Sequence, residues 1–149
     1  MERQTFYYHF NDLRDVWKWS VYKTAQVIIK KCIRSKTIES ALHIFVRAVI
    51  YYLVKYQRIM FYDKSDWLIG ILREEMERSL KRILLYYYSE FPINYTDIMN
   101  TIKYHVNGIL GTVICFMDTS HKITNSDLRQ LEINFAEGIY CFQQRAAIR

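Results

Sequence analysis

Residues that break helices are scarce in this chain. Its 149 residues include four glycines and a single proline, Pro92. Both residue types disfavour helix interiors, so their scarcity favours long helices. Hydrophobic residues make up 51% of the chain, which excludes a disordered protein. One domain of this length buries about two-thirds of its unfolded surface. The composition therefore predicts an all-α fold with one sizeable core.

The spacings that mark metal sites and common catalytic motifs are also missing. Cys32, Cys115 and Cys141 show no CxxC or CxxH pattern, and the four histidines lie in separate segments. There is no GxSxG, no Walker A loop, and no GxGxxG after a strand pattern. We therefore expect no metal, no cofactor and no enzymatic activity.

No apolar run reaches the ~18 residues of a membrane span, because Arg47 and Lys55 interrupt the most hydrophobic segment. The first residues lack the pattern of a signal peptide. These two absences predict a cytoplasmic protein without a membrane partner.

Positive charge is concentrated at the start of the chain. Residues 1–36 hold eight Lys or Arg and three Asp or Glu, whereas the remaining residues hold thirteen and twelve. Such a basic region favours a polyanionic partner. A solvated helix face is the alternative for its lysines.

The segment Arg3–Asp15, "RQTFYYHFNDLRD", has the pattern of a short helix, a capped turn and a second helix. Phe6 and Phe10 are four residues apart and would form one apolar face. The other positions carry groups that can hydrogen-bond bases and phosphates. These are Arg3, Gln4, Thr5, Tyr7, Tyr8 and His9. An amphipathic helix that only packs on the rest of the protein is the alternative.

This segment resembles the recognition helix, tight turn and start of helix 4 in TetR-type transcriptional regulators, in the branch near the dihydroxyacetone-kinase operon activators. The resemblance implies a TetR-like helical bundle. It makes residues 1–19 the remnant of a helix-turn-helix DNA-binding domain and residues 20–149 an effector-binding and dimerisation domain. It also implies operator contacts by the six polar residues of the recognition helix, Arg3, Gln4, Thr5, Tyr7, Tyr8 and His9.

Two helices precede the recognition helix in that family, whereas here Met1 stands just before it, so the resemblance implies a truncated helix-turn-helix. Leu13 also replaces a lysine that usually contacts phosphate. A recognition helix needs its partner helices to set its angle in the major groove. We therefore expect this chain to bind operator DNA weakly and with strong salt sensitivity.

Hydrophobic periodicity and capping residues predict five long helices after a short one over Arg3–Tyr8. The predicted long helices cover Leu13–Arg34, Thr37–Tyr62, Trp67–Ser89, Tyr95–Met117 and Leu128–Ala147.

Aromatic residues on these helices suggest a pocket for a small, largely apolar effector. The candidates are Tyr51, Tyr52, Trp67 and Tyr104. Ordinary core packing is the alternative for each, and a protein co-activator is the alternative to a small ligand.

Gly108 and Gly111, with Thr112 beside them, give one helix a thin face that another helix can approach closely. The TetR resemblance places a homodimer interface on this helix and the last one, which carries Leu131 and Phe135. Packing within one protomer is the alternative for the last helix.

A second class of function fits the same composition. An all-helical interaction module of Bcl-2-like size, with a hydrophobic groove for a partner helix, would also be rich in apolar helices.

Overall fold

The computed structural model describes residues 10–63, 66–89, 94–119 and 122–147. These residues form five α-helices and no strand, which confirms the all-α prediction. The helices are α1 (Leu13–Ile33), α2 (Ile38–Asp63), α3 (Asp66–Tyr87), α4 (Tyr95–Asp118) and α5 (Asn125–Ala147). The predicted helix at Arg3–Tyr8 and the six predicted DNA contacts lie outside the described residues.

Local capping explains where the helices begin. The Asp12 carboxylate accepts a hydrogen bond from the Asp15 amide over 3.0 Å and starts α1. At α5, the Thr124 hydroxyl accepts from the Asp127 amide over 3.2 Å, while the Asp127 carboxylate accepts from the Thr124 amide over 2.8 Å. This reciprocal pair satisfies two free amides. It starts α5 at Asn125, three residues earlier than predicted.

One apolar core joins all five helices. Helix α2 packs against each of the other four, in agreement with its nearly continuous apolar sequence. Its largest fully buried side chains are Phe45, Val46, Ile50 and Leu53. None of the helices in the described residues has the length and hydrophobicity needed to cross a membrane.

Helix α1 is attached to α3 along its C-terminal half. The Tyr87 hydroxyl at the end of α3 lies 2.8 Å from the Cys32 carbonyl oxygen and 2.9 Å from that of Ser35. Nearer the middle of α1, Arg82 Nη1 donates to Gln26 Oε1 over 3.0 Å. These bonds fix the C-terminal end of α1 on the body of the protein.

A buried carboxylate connects α5 to α2. Glu132 is 6% exposed and accepts a hydrogen bond from Arg47 Nε. His43 Nδ1 lies 3.4 Å from the same carboxylate. The bond to Glu132 raises the pKa of Arg47. Because a buried carboxylate requires such partners, the pair sets how α5 lies on α2.

Candidate effector site

A cavity of ≈ 50 Å³ lies between α1, α2 and α3. Each helix lines it with residues three or four positions apart, the spacing that places side chains on one helix face. Helix α1 contributes Val21, Thr24, Ala25 and Ile28; α2 contributes Phe45, Val49, Tyr52, Leu53 and Tyr56; α3 contributes Leu72, Glu75, Met76 and Ser79.

Besides the hydroxyls of Thr24, Tyr52 and Tyr56, the apolar wall carries two buried polar side chains on α3. Glu75 is 6% exposed and Ser79 is 3% exposed. One carboxylate oxygen of Glu75, Oε2, accepts a hydrogen bond from Arg78 Nη1. No described residue provides a hydrogen-bond partner for Glu75 Oε1 or for Ser79 Oγ. The α3 side of the site therefore holds two buried oxygen atoms without a protein partner.

The environment of Glu75 changes its acidity. Burial raises the pKa of the Glu75 carboxyl, and the nearby guanidinium groups of Arg78 and Arg82 oppose this rise without cancelling it. A hydrogen bond to the ionised carboxylate would offset part of the desolvation. Glu75 is thus the residue in the cavity wall that gains most from a polar ligand group.

Aromatic side chains connect α1 and α2 beside the cavity. Tyr52 and Tyr56 are stacked with ring centroids 6.0 Å apart, and Trp17 of α1 meets Tyr56 edge-on at 5.3 Å. Because Tyr52 and Tyr56 also line the cavity, a change in its contents would act on the contact between α1 and α2.

Of the four aromatic residues predicted to hold an effector, the cavity contains Tyr52 alone. Tyr51 is 63% exposed and Tyr104 is 77% exposed, so neither lines this cavity, and their contact with an effector stays a prediction. Tyr51 directly precedes Tyr52 on α2, and adjacent residues diverge by ~100° around a helix. Trp67 packs against the core, with the Arg14 guanidinium 5.6 Å from its ring.

Sequence reasoning missed Glu75 and Ser79. A signal was present, because Glu75 follows Leu72 by three residues and Ser79 follows Met76 by three, which places both in the apolar stripe of α3. Polar residues at core positions of a helix mark either a buried network or a ligand site.

The predicted glycine seam lies on an open face of α4. A Cβ atom built at Gly108 or at Gly111 meets nothing within 4 Å. The Thr112 hydroxyl donates to the Gly108 carbonyl over 2.8 Å. No other part of the described chain packs on these glycines, and their contact with a second protomer stays a prediction.

Leu131 and Phe135, by contrast, belong to the core of the protomer. Their side chains are 9% and 3% exposed, and Phe135 packs against Phe45 with ring centroids 6.3 Å apart. This packing agrees with the alternative for the last helix, since α2 and α4 cover the apolar face of α5. A dimer contact by these residues stays a prediction.

Among the described residues, no group of three or more His, Cys, Asp or Glu side chains is arranged to hold a metal ion. Comparisons of this chain with protein-family models, with curated proteins and with solved structures found no match.

Proposed function

We propose that this protein is a TetR-type transcriptional regulator whose described helices form the effector-binding body. The observation that carries the proposal is the position of the cavity. Its wall includes residues 21–28 of α1, and α1 begins directly after the segment that resembles a recognition helix. One continuous helix therefore joins the cavity to the segment proposed to contact operator DNA.

The attachment of α1 to α3 supports the idea that a displacement caused by a ligand is transmitted along α1. Its C-terminal end is fixed by the Tyr87 hydroxyl, whereas Val21, Thr24 and Ala25 lie at the cavity nearer its start. The start of α1 packs on the body through Trp17 against Tyr56 and Arg14 against Trp67, so a ligand that displaces Tyr56 or the middle of α1 would also move its start. Effector binding would thus shift the N-terminal segment from one position to another. The shift can be no larger than the difference in the ligand's affinity for the two arrangements of the protein allows.

The size of the cavity favours a small effector over a partner helix. An apolar cavity of about 150 Å³ holds benzene, whereas an α-helix with its side chains is about 10 Å wide. A volume of ≈ 50 Å³ suits a molecule of a few heavy atoms. This supports the regulator over the groove-binding interaction module.

The proposal includes a homodimer, because an operator-binding pair of recognition helices requires two-fold symmetry. The open face of α4 that contains Gly108 and Gly111 is the surface assigned to it. Operator DNA is the proposed partner of the basic N-terminal segment.

The test is a transcriptional reporter driven by the promoter upstream of the protein's own gene. We expect its activity to differ between cells that carry the gene and cells from which it is deleted. Ala25→Leu fills the cavity from α1 and should change reporter activity at unchanged protein level. Val27→Leu is the matched control, because Val27 is 55% exposed on the same helix.

Equal reporter activity in both strains would overturn the proposed function. Equal effects of Ala25→Leu and Val27→Leu would show that the cavity is not coupled to regulation, and would overturn the effector-responsive part of the proposal.

A further inference from the structure

We propose that the cavity between α1, α2 and α3 selects a small neutral alcohol, whose hydroxyl donates a hydrogen bond to Glu75 and accepts one from Ser79. The inference rests on the proposed function, for which it names the class of effector. It starts from two buried oxygen atoms, Glu75 Oε1 and Ser79 Oγ, that have no partner among the described residues.

The two oxygen atoms have complementary hydrogen-bonding capacities. The ionised carboxylate of Glu75 can only accept hydrogen bonds, whereas the Ser79 hydroxyl can donate one. The two residues are four positions apart on α3, so they lie one above the other on the same helix face. One ligand hydroxyl between them can satisfy both, because a hydroxyl donates one hydrogen bond and accepts others.

A neutral ligand fits the charges better than an ammonium. Arg78 already supplies a counter-charge at Glu75 Oε2, and Arg82 adds positive charge nearby. What Glu75 Oε1 lacks is therefore a hydrogen-bond donor rather than a cation. Moving an ammonium from water into an apolar cavity would cost far more free energy than moving a hydroxyl.

The rest of the wall determines the body of the ligand. Apart from Glu75 and Ser79, the cavity wall is mainly aliphatic and aromatic, and its further hydroxyl groups are those of Thr24, Tyr52 and Tyr56. The enclosed volume of ≈ 50 Å³ is about a third of the cavity that holds benzene, so it admits only the hydroxyl end of the ligand. A short alkyl group would extend to the surface beside Tyr52 and Tyr56. Isobutanol is a probe of this shape.

Isopropyl methyl ether is the matched probe, because it is a constitutional isomer of isobutanol that accepts hydrogen bonds but cannot donate one. Binding of each compound to the whole protein is measured by isothermal titration calorimetry without DNA. We expect isobutanol to bind at least about tenfold more tightly than the ether, the effect of one hydrogen bond to a charged acceptor. Isobutylamine, which is charged at neutral pH, should bind more weakly than isobutanol.

Two leucine variants test whether Glu75 is the source of the preference for the alcohol over the ether. Glu75→Leu should remove the preference for isobutanol over the ether, while Glu74→Leu at the adjacent exposed position should keep it. Ser79→Ala should weaken isobutanol binding and serves as a second variant with little effect on packing. Circular dichroism checks that each variant is folded.

Equal binding of alcohol and ether, tighter binding of the amine, selectivity that survives Glu75→Leu, or no binding by any probe would each overturn the inference. Because the titration contains no DNA, its result is independent of the reporter assay. A protein that selects isobutanol but leaves its promoter unaffected would overturn the proposed function alone. A regulator without alcohol selectivity would overturn this inference alone.

Discussion

The imidazole ring of His105 in α4 lies directly against Gly138 in α5. A Cβ atom built at Gly138 would be 2.0 Å from His105 Cε1, far inside any real contact distance. The same ring meets Phe135 edge-on, with centroids 5.2 Å apart, so it cannot move aside freely. A side chain at position 138 would therefore force the His105 ring to shift against Phe135.

Gly138→Ala should destabilise the protein. Alanine is favoured over glycine in a helix by about 1 kcal/mol, but the overlap with His105 forces a local shift that costs about 1–3 kcal/mol. We expect a lower midpoint in urea unfolding with an unchanged slope. Gly111→Ala is the control, and it should stabilise the monomer because nothing lies near its added Cβ. Adding His105→Ala to Gly138→Ala should recover part of the loss, and strict additivity of the two changes would contradict this account.

His105 should also make stability depend on pH. Burial lowers the pKa of His105 below the ordinary value of 6.5. The unfolded chain therefore takes up a proton at a pH where the folded protein does not. The stability that this neutral ring contributes is fully present above pH 6.5 and is lost as pH falls through the pKa of the folded state.

Urea unfolding between about pH 7.5 and pH 5 measures this effect. We expect the free energy of unfolding of the wild type to fall more steeply with decreasing pH than that of His105→Gln, which has no titrating ring. Parallel curves for the two proteins would rule out His105 as the source of the dependence.

The sequence predicts the bounds of the helices better than the contacts between them, for a physical reason. Helix bounds depend on neighbouring residues, such as the Asp12 cap, so α1 to α4 end within two residues of the prediction. Contacts between helices depend on how each helix is rotated about its axis, and periodicity gives that rotation only coarsely. The glycine that allows close packing within the protomer is consequently Gly138 and neither Gly108 nor Gly111.

The same limit applies to the cavity. Tyr51 and Tyr52 are equally plausible as pocket residues in the sequence, yet a rotation of ~100° separates an exposed side chain from one that lines the cavity. The polar pair on α3 was overlooked for a different reason. A charged residue is normally read as solvent-facing, and only the three-dimensional packing reveals that Glu75 is buried.

The proposed homodimer can be tested with the protein's own cysteines. Cys115 is exposed on α4, four residues after Gly111 and seven after Gly108, so it lies on the same helix face. Cys32 is buried, and burial raises the pKa of its thiol to about 11, which keeps it unreactive. If two copies of the α4 face meet, a short bismaleimide should cross-link the protein into a dimer through Cys115.

Cys141→Ser removes the exposed thiol of α5 and should leave this cross-link intact, whereas Cys115→Ser should abolish it. Gly108→Leu should separate the two α4 helices and give a monomer in analytical ultracentrifugation, because a thin face is what permits their close approach. Gly70→Leu is the matched control, since Gly70 also has nothing within 4 Å of an added Cβ but lies on α3. A dimer that persists in Gly108→Leu, or a cross-link that requires Cys141, would place the interface on another surface.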